Sequence, residues 1–320
     1  MLAKINLFEF IKKINYQSKA FYMKIFALEY NGDKLNYRIN LGDDIQTIAA
    51  INLLPKIDGF TSRENLNKIK EPCIISMNGF FMQSQNWPPS SNVIPIPYAF
   101  HVSKKSEETI CSSDGIEFLK LHEPIGCRDL GTKAILDKYG VKAYYSKCIT
   151  LTFDKRTKSP KESKVYIVDV SNKLQKVIPS NLLKNSVKIC QANVRLSGIT
   201  SKTKREMAQQ LLNDYKKNAS LIITSKIHCA MPCIAMGIPV VFLYEAEKRK
   251  DYRVHIINDL IEINYINKYL LFSEMLAKYF YKKINWSPKP KEIEEQKNKI
   301  KKDYLSAYTR AIEFYKQKFN

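Results

Sequence analysis

No stretch of this sequence stays apolar long enough to cross a bilayer or to form the core of an export signal. In the opening segment, MLAKINLFEFIKKINYQSKAFYMKIFAL, a lysine or another polar residue recurs every few positions, which excludes both devices. A soluble, unexported, cytoplasmic protein is expected. Residues 5–15 fit a short amphipathic helix with Ile5, Phe8, Ile11 and Ile14 on one face, better suited to packing on its own domain than to membrane contact. The cysteines also lack a pattern: seven is an odd number and their spacing forms no framework, which argues against a disulfide scaffold and for a reducing compartment. Cys229 and Cys233 are four apart on an apolar stretch, yet no second Cys or His pair has matching spacing, so no metal site is expected. There is no low-complexity tract and no recognisable nucleic-acid module.

Acidic residues are the minority charge. With 52 Lys plus Arg against 31 Asp plus Glu, the net charge is +21, and the surface should attract anions such as phosphorylated substrates, acidic lipid or nucleic acid. The lysines are spread along the chain and are not interleaved with aromatics in one patch, so no specific nucleic-acid partner is expected. Peripheral association with an anionic membrane is compatible with this charge.

A chain of 320 residues exceeds the usual size of one core and suggests two domains. Short β-branched or aromatic runs alternate with helical stretches throughout, as in α/β proteins with parallel sheets. Strands are predicted near 23–29, 57–60, 73–77, 96–103, 124–127 and 142–145, and helices near 43–54, 115–121 and 129–139. The polar, Pro-containing segment 154–163 reads as an interdomain linker. Beyond it the pattern restarts, with strands at 164–170, 187–195, 220–225 and 238–243 and helices near 201–217 and 228–236. After the SPKP break at 287–290, Ile293, Ile300, Tyr304, Tyr308 and Tyr315 recur near helical spacing and predict a long terminal helix. The expected domains are 1–153, completed by the helix at 288–320, and 164–287.

Three segments carry polar chemistry. In LIITSKIHCAMPCIAMGIPVVFL (221–243) a buried strand leads through a polar turn into an apolar helix. Ligands bind at the carboxyl ends of parallel strands, where a helix N-terminus offers unpaired N–H groups. Thr224 and Ser225 add hydroxyls, Lys226 a point charge and His228 a proton carrier, so the turn suits phosphate or carboxylate. The bland reading of His228 is a satisfied structural histidine. In HEPIGCRDLGT (122–132) Arg128 falls at the end of a short strand and Asp129 can cap the next helix. Arg128 either grips a carboxylate with its two-pronged guanidinium or forms a structural ion pair with a neighbour such as Asp129. In YRINLGDDIQTIAAINLL (37–54) Gly42 permits close approach of the backbone, one of Asp43 and Asp44 can cap the helix, and the other is free to accept a proton or to add charge at the helix start. Asp44 is taken as the cap-proximal member and Asp43 as the cleft-facing one.

These segments, with Asn78-Gly79 in NGFF (78–81) and SKCITLTF (146–153), resemble in type and order the polysaccharide pyruvyl transferase family over residues 22 to 260. The resemblance implies a GT-B-like fold of two Rossmann-like domains facing each other across a cleft. It also implies phosphoenolpyruvate as donor, with no further cofactor, and a carbohydrate acceptor, with a lipid-linked saccharide among the candidates, on which a pyruvyl ketal is formed. In such enzymes an Arg-Leu-His turn and a second Arg are associated with the donor. Here the turn is Lys226, Ile227 and His228, and Arg128 is the candidate for the second Arg. Lysine keeps the charge and loses the bidentate fork. Arg253, in DYRVHIINDLI (251–261), is expected to face the cleft. His228 is the candidate acid or phosphate partner, and Asp43 or Asp44 the candidate base. The alternatives are a GT-B glycosyltransferase using a nucleotide sugar and a non-enzymatic polyanion-binding protein.

Overall fold

A computed structural model describes residues 23–30, 38–81, 85–195, 198–267, 269 and 273–319. The helix expected over 5–15 lies outside them. The molecule is mixed α/β, with two four-stranded sheets in its first half, a five-stranded sheet in its second, and a two-stranded ribbon between. Numbering the elements used below in chain order, the first sheet runs β3 (Gly59–Ser62), β1 (Lys24–Glu29), β4 (Cys73–Ser76), β6 (Val93–Ile96). The second runs β5 (Gly79–Phe81), β7 (Phe100–Val102), β8 (Ile125–Cys127), β9 (Ala143–Tyr145). The third runs β11 (Ser186–Ile189), β10 (Lys164–Val168), β13 (Ala219–Thr224), β14 (Val240–Glu245), β15 (Ile263–Ile266). Every pairing within these three sheets is parallel.

The expected strand over 96–103 is two strands in different sheets. Pro97 cannot donate to a ladder and Ala99 holds a positive φ of 55°, so the run breaks between β6 and β7. The expected strand over 187–195 is likewise divided. Its second part, β12 (Ala192–Arg195), turns away to pair antiparallel with β2 (Arg38–Asn40), tying the second half of the chain to the start of the first helix.

The helices that matter for the site are α1 (Leu41–Ile51), α2 (Ser113–Leu121), α3 (Leu130–Lys138), α4 (Ser201–Asn218), α5 (Ile227–Ala235) and α6 (Glu294–Phe319). Burial of α5 is almost complete, because its apolar residues face neighbours all round. Only the stripe through Ile300, Tyr304, Ala307, Tyr308, Ala311, Ile312 and Tyr315 of α6 is buried together with Lys297, and the Lys and Glu residues elsewhere remain solvated. Tyr304 donates to Ser76 Oγ at 3.0 Å and Tyr98 to the Ile300 carbonyl at 3.3 Å, which fastens α6 to the first half. Lys297 reaches the Ala235 carbonyl of α5 at 3.0 Å.

The largest apolar cluster crosses the chain's midpoint. It takes Ile25, Ile45 and Ile94 from the first half and Ile222, Ala230 and Phe242 from the second, with Tyr304 and Tyr308 between. The segment 154–163 is irregular in backbone yet pinned: the Arg156 amide donates to the Met236 carbonyl at 3.0 Å and the Lys161 amide to the Lys217 carbonyl at 2.8 Å. No helix among the described residues is long and apolar enough to cross a membrane.

Candidate active site

At the end of β13 the chain must turn before α5 begins, and Thr224 sets that turn. Fully buried, it donates from Oγ1 to the Val168 carbonyl at 2.9 Å and accepts the Lys226 amide at 3.0 Å. Its hydroxyl is therefore engaged in joining β10 to the turn, and Thr224 borders neither of the two compartments described next, contrary to the expected binding role. Lys226 occupies the N-cap position of α5 without a side-chain cap, so its own side chain is not spent on the helix. Ser225, Lys226, Ile227 and His228 all border open space.

That space is a cavity of about 360 Å³ bounded by Lys226, Ile227 and His228 on one side and by Gly42, Asp43, Phe80, His101 and Arg128 on the other, with Gln191 and Arg253 completing the wall. A second compartment of about 380 Å³ shares Lys226, Ile227 and Arg253 with it and extends past Asp169, Ser171, Ser225, Tyr244 and Glu245 at the carboxyl ends of β10, β13 and β14. Candidates from both halves of the chain thus meet around one cleft, as ligand sites in parallel α/β proteins do.

The opposite wall begins with α1. Asn40 caps this helix, its side chain accepting the Gly42 amide at 3.1 Å, so neither Asp43 nor Asp44 is the cap as expected. A Cβ on Gly42 would stand 3.1 Å from His228 Cβ and 3.0 Å from Asn40 Oδ1; glycine is what lets α1 start directly against His228. Asp43 is half-buried on the cavity wall. Burial pushes its carboxyl up, and the charges of Arg63, Arg128 and Lys204 only partly offset this. Asp44 points elsewhere. Fully buried, it sits 3.9 Å from Lys204 Nζ with no hydrogen-bond partner for either carboxylate oxygen among the described residues, and burial raises it to about 7. A group outside the cavity lining cannot serve there as the base, so the acid–base candidate of this pair is Asp43.

Arg128 makes the structural ion pair that was one of its two expected readings, and it also stands on the cavity wall. Only 3% exposed, it lines the cavity, holds Nη1 3.4 Å from Gln46 Oε1, and keeps Nε 3.6 Å from Asp129 Oδ2. Asp129 does cap α3, accepting the Thr132 amide at 2.8 Å. Arg253 borders both compartments, but its fork is largely engaged with Asp251, Nε at 2.8 Å and Nη2 at 2.6 Å. Asn78 and Gly79 stay out of the lining. Asn78 is buried and accepts Ser76 Oγ at 3.0 Å, and Gly79 adopts a φ of 87° with Gln46 Oε1 3.1 Å from where a Cβ would lie. Their part is to form the backbone turn beneath the cavity.

Electrostatically the cavity is cationic, with Arg128, Lys226 and Arg253 on its wall against Asp43. His228 is 9% exposed, its Nε2 has no hydrogen-bond partner among the described residues, and its pKa is lowered well below 6.5 by burial first and then by the nearby Arg128, His101 and Arg253. It is neutral in the free protein. Gln191 Oε1 on the same wall is also buried without a partner. Two buried polar atoms without a partner among the described residues, on side chains that border one cavity, are a standing cost. Sequence reasoning missed Gln191, Phe80 and His101. His101 lies on β7 with Nδ1 2.7 Å from Asp129 Oδ2, and in the sequence it is a lone polar residue in an apolar run with no partner nearby. Among the described residues no group of three or more His, Cys, Asp or Glu is placed to hold a metal ion.

A family model for polysaccharide pyruvyl transferase matches residues 40–247, which include His101, Arg128, Asp129, Lys226 and His228. No curated protein matches the chain. Among solved structures, the crystal structure of a functionally uncharacterized protein, KP1_0663, from Klebsiella pneumoniae subsp. pneumoniae NTUH-K2044 is similar at 12% identity and a TM-score of 0.43, covering 79% of this chain and 94% of that one. The family match spans well over half of the sequence and contains residues of both walls of the cleft: the chain belongs to the polysaccharide pyruvyl transferase family.

Proposed function

We propose that this protein transfers a pyruvyl group from phosphoenolpyruvate to hydroxyls of a carbohydrate, closing a ketal, with the cavity between Arg128 and the Lys226–His228 turn as donor site. The observation that carries the reading is the convergence of Arg128, Lys226, His228 and Asp43 on one cavity in a chain of this family. Phosphoenolpyruvate joins a carboxylate and a phosphate through an enol, and so requires clustered cations and N–H donors. Arg128 offers a guanidinium fork, Lys226 a mobile charge, and the start of α5 its unpaired amides and positive dipole end. His228 Nε2, unpartnered in the free protein, is the phosphate partner.

Attack by a sugar hydroxyl at C2 needs a proton delivered to C3. Asp43 suits that delivery, because burial favours its protonated form. This reverses the role of base that the sequence suggested for it. The second compartment, with Ser225 Oγ unpartnered and Tyr244 and Glu245 on its wall, offers the acceptor sugar hydroxyl partners and an aromatic face. In this reading the two halves of the chain act as the GT-B-like walls of the cleft, with 154–163 as the connection, the reaction needs no redox cofactor, and the protein works in the cytoplasm on a glycan or a lipid-linked saccharide beside an anionic membrane face.

Thermal shift decides first: phosphoenolpyruvate should raise the melting temperature, and nucleoside diphosphates should not. Incubation with phosphoenolpyruvate and a panel of glycosides should then give the added pyruvyl mass by mass spectrometry together with released phosphate. Stabilisation by nucleoside diphosphates alone would transfer the assignment to a nucleotide-sugar glycosyltransferase.

A further inference from the structure

His101 is held more firmly than packing requires. Its ring lies 6.1 Å from that of Phe80 and 6.0 Å from that of Tyr252, and Tyr252 is itself anchored by a hydrogen bond from its hydroxyl to the Val102 carbonyl at 2.9 Å. Nδ1 stands 2.7 Å from Asp129 Oδ2. Capping α3 needs only one oxygen of Asp129, and Oδ1 supplies it, accepting the Thr132 amide at 2.8 Å and the Thr132 hydroxyl at 2.9 Å. The contact through Oδ2 is therefore additional to the cap. Burial pushes the Asp129 carboxyl up, but the hydrogen bond from His101, the Arg128 charge and the Thr132 amide bring it below the ordinary carboxylate range.

An ionised carboxylate can only accept, so Nδ1 of His101 carries the proton and donates a hydrogen bond to Asp129 Oδ2. Burial and the Arg128 charge, opposed by Asp129, lower His101 to about 4, so the ring is neutral. Its Nε2 then presents a lone pair, with no hydrogen-bond partner among the described residues, on a ring that lines the same cavity as Asp43, Arg128 and His228. A neutral imidazole whose tautomer is set by a carboxylate behind it is the arrangement of a general base.

We propose that His101, oriented by Asp129, is the base that takes the proton from the attacking acceptor hydroxyl; the inference rests on the reaction proposed above. The hydroxyl O–H bond breaks, its proton goes to His101 Nε2, and its oxygen forms a bond to C2 of the donor. The C2–C3 π electrons take the proton of Asp43 at C3, turning the methylene into a methyl group. The C2–O bond to phosphate then breaks with its electrons leaving on phosphate, which carries off the proton held by His101. The second hydroxyl closes the ketal at C2 and returns its proton to Asp43. Two hydroxyl protons enter, one ends on C3 and one on phosphate, and both side chains are reset. Asp129 is a positioning residue. The charges facing His101 are Asp129, Arg128 and Arg253, with His228 across the cavity.

The test uses the full chain, phosphoenolpyruvate, and the panel glycoside on which the parent protein releases phosphate fastest. His101→Gln should lower turnover by about 10²–10⁴-fold and flatten the acid limb of the pH–rate profile, while calorimetry gives a donor affinity within about twofold of the parent. Turnover within threefold of the parent, or a loss of turnover matched by loss of donor affinity, overturns the base assignment. Should His101→Gln fail to fold, ¹⁵N chemical shifts of the histidines in the parent protein decide instead. His101 should be the Nδ1–H tautomer at pH 7, and an Nε2–H tautomer overturns the assignment. Absence of donor binding by the parent protein overturns the reaction itself, an outcome separable from intact donor binding with undiminished turnover in the variant.

Discussion

Gly131, the second residue of α3, touches the ring that carries the Arg253 turn, and replacing it by alanine should destabilise the protein where helix propensity says the opposite. A Cβ at Gly131 would lie 2.2 Å from Tyr252 Cδ2 and 2.4 Å from Cγ, distances no side-chain adjustment short of moving the ring can relieve. On an open helix surface Gly→Ala gains about 1 kcal/mol. Here the ring must leave, which breaks the Tyr252–Val102 hydrogen bond of 2.9 Å, a loss of about 1 kcal/mol, and exposes the face of a half-buried tyrosine, a further loss of about 1–2 kcal/mol. The net expectation is a destabilisation of about 1–2 kcal/mol in urea unfolding, accompanied by weaker phosphoenolpyruvate binding because Arg253 follows Tyr252 in the chain. Tyr252→Phe should remove only the hydrogen-bond share. In a Tyr252→Ala background the obstacle is gone, so adding Gly131→Ala should become stabilising by about the helix-propensity gain. If Gly131→Ala stabilises the parent protein, or if its effect is the same in both backgrounds, the packing of Tyr252 on α3 does not hold the Arg253 turn in place.

His228 is neutral because burial and three nearby cationic or ionisable groups oppose its charge; a bound phosphate reverses that field. Donor binding should therefore take up protons, seen as a dependence of calorimetric enthalpy on buffer ionisation heat, and affinity should fall as pH rises; proton release would contradict it. His228→Ala and Arg128→Ala should abolish ketal formation in mass spectrometry with circular dichroism unchanged, and full turnover in both would place the site elsewhere. Lys226→Arg, which restores the arginine usual in the family, should retain turnover; aggregation would mean that the lysine is tightly packed. His122, set edge-on between the Phe118 and Phe314 rings with centroids 4.8 Å away in each case, is lowered to about 4 by burial and by Lys318. A depressed histidine contributes stability that is present above pH 6.5 and lost as pH falls toward 4, so His122→Phe should flatten the acid loss of urea stability between those values by at most about 3 kcal/mol.

Much of the fold was legible because its signals are local. The buried runs of β10 and β13, the alternation of strand and helix, and the tyrosine spacing of α6 each state their environment within a few residues; β10 and β13 fall within two residues of the expected bounds, and α6 begins six residues after the expected start. The division of 96–103 into β6 and β7 was legible too, in Pro97, but an apolar run on both sides of it reads as one strand until the register of its neighbours is known. The antiparallel pairing of β12 with β2 could not be read at all, since it joins segments about 150 residues apart through backbone hydrogen bonds that no side-chain pattern marks.

The site divides in the same way. His228, Lys226 and Arg128 announce themselves as polar groups at strand ends, where backbone geometry already favours ligands. Asp129 announces itself as a cap, and the structure bears the cap out through Oδ1. What a cap signal does not reveal is that a carboxylate has a second oxygen, and that tertiary packing can spend it on something 28 residues away in sequence. Gly42 shows the converse: it was read as room for a ligand, and its missing Cβ is filled by the approach of His228. In both cases the residue type fixed what was chemically available and the packing of β7, α1 and α5 decided how it was used. Proposing Asp43 as proton donor in place of acceptor has the same origin, because a carboxyl's charge state follows from its burial and from the arginines around it, and neither is written at positions 42–44.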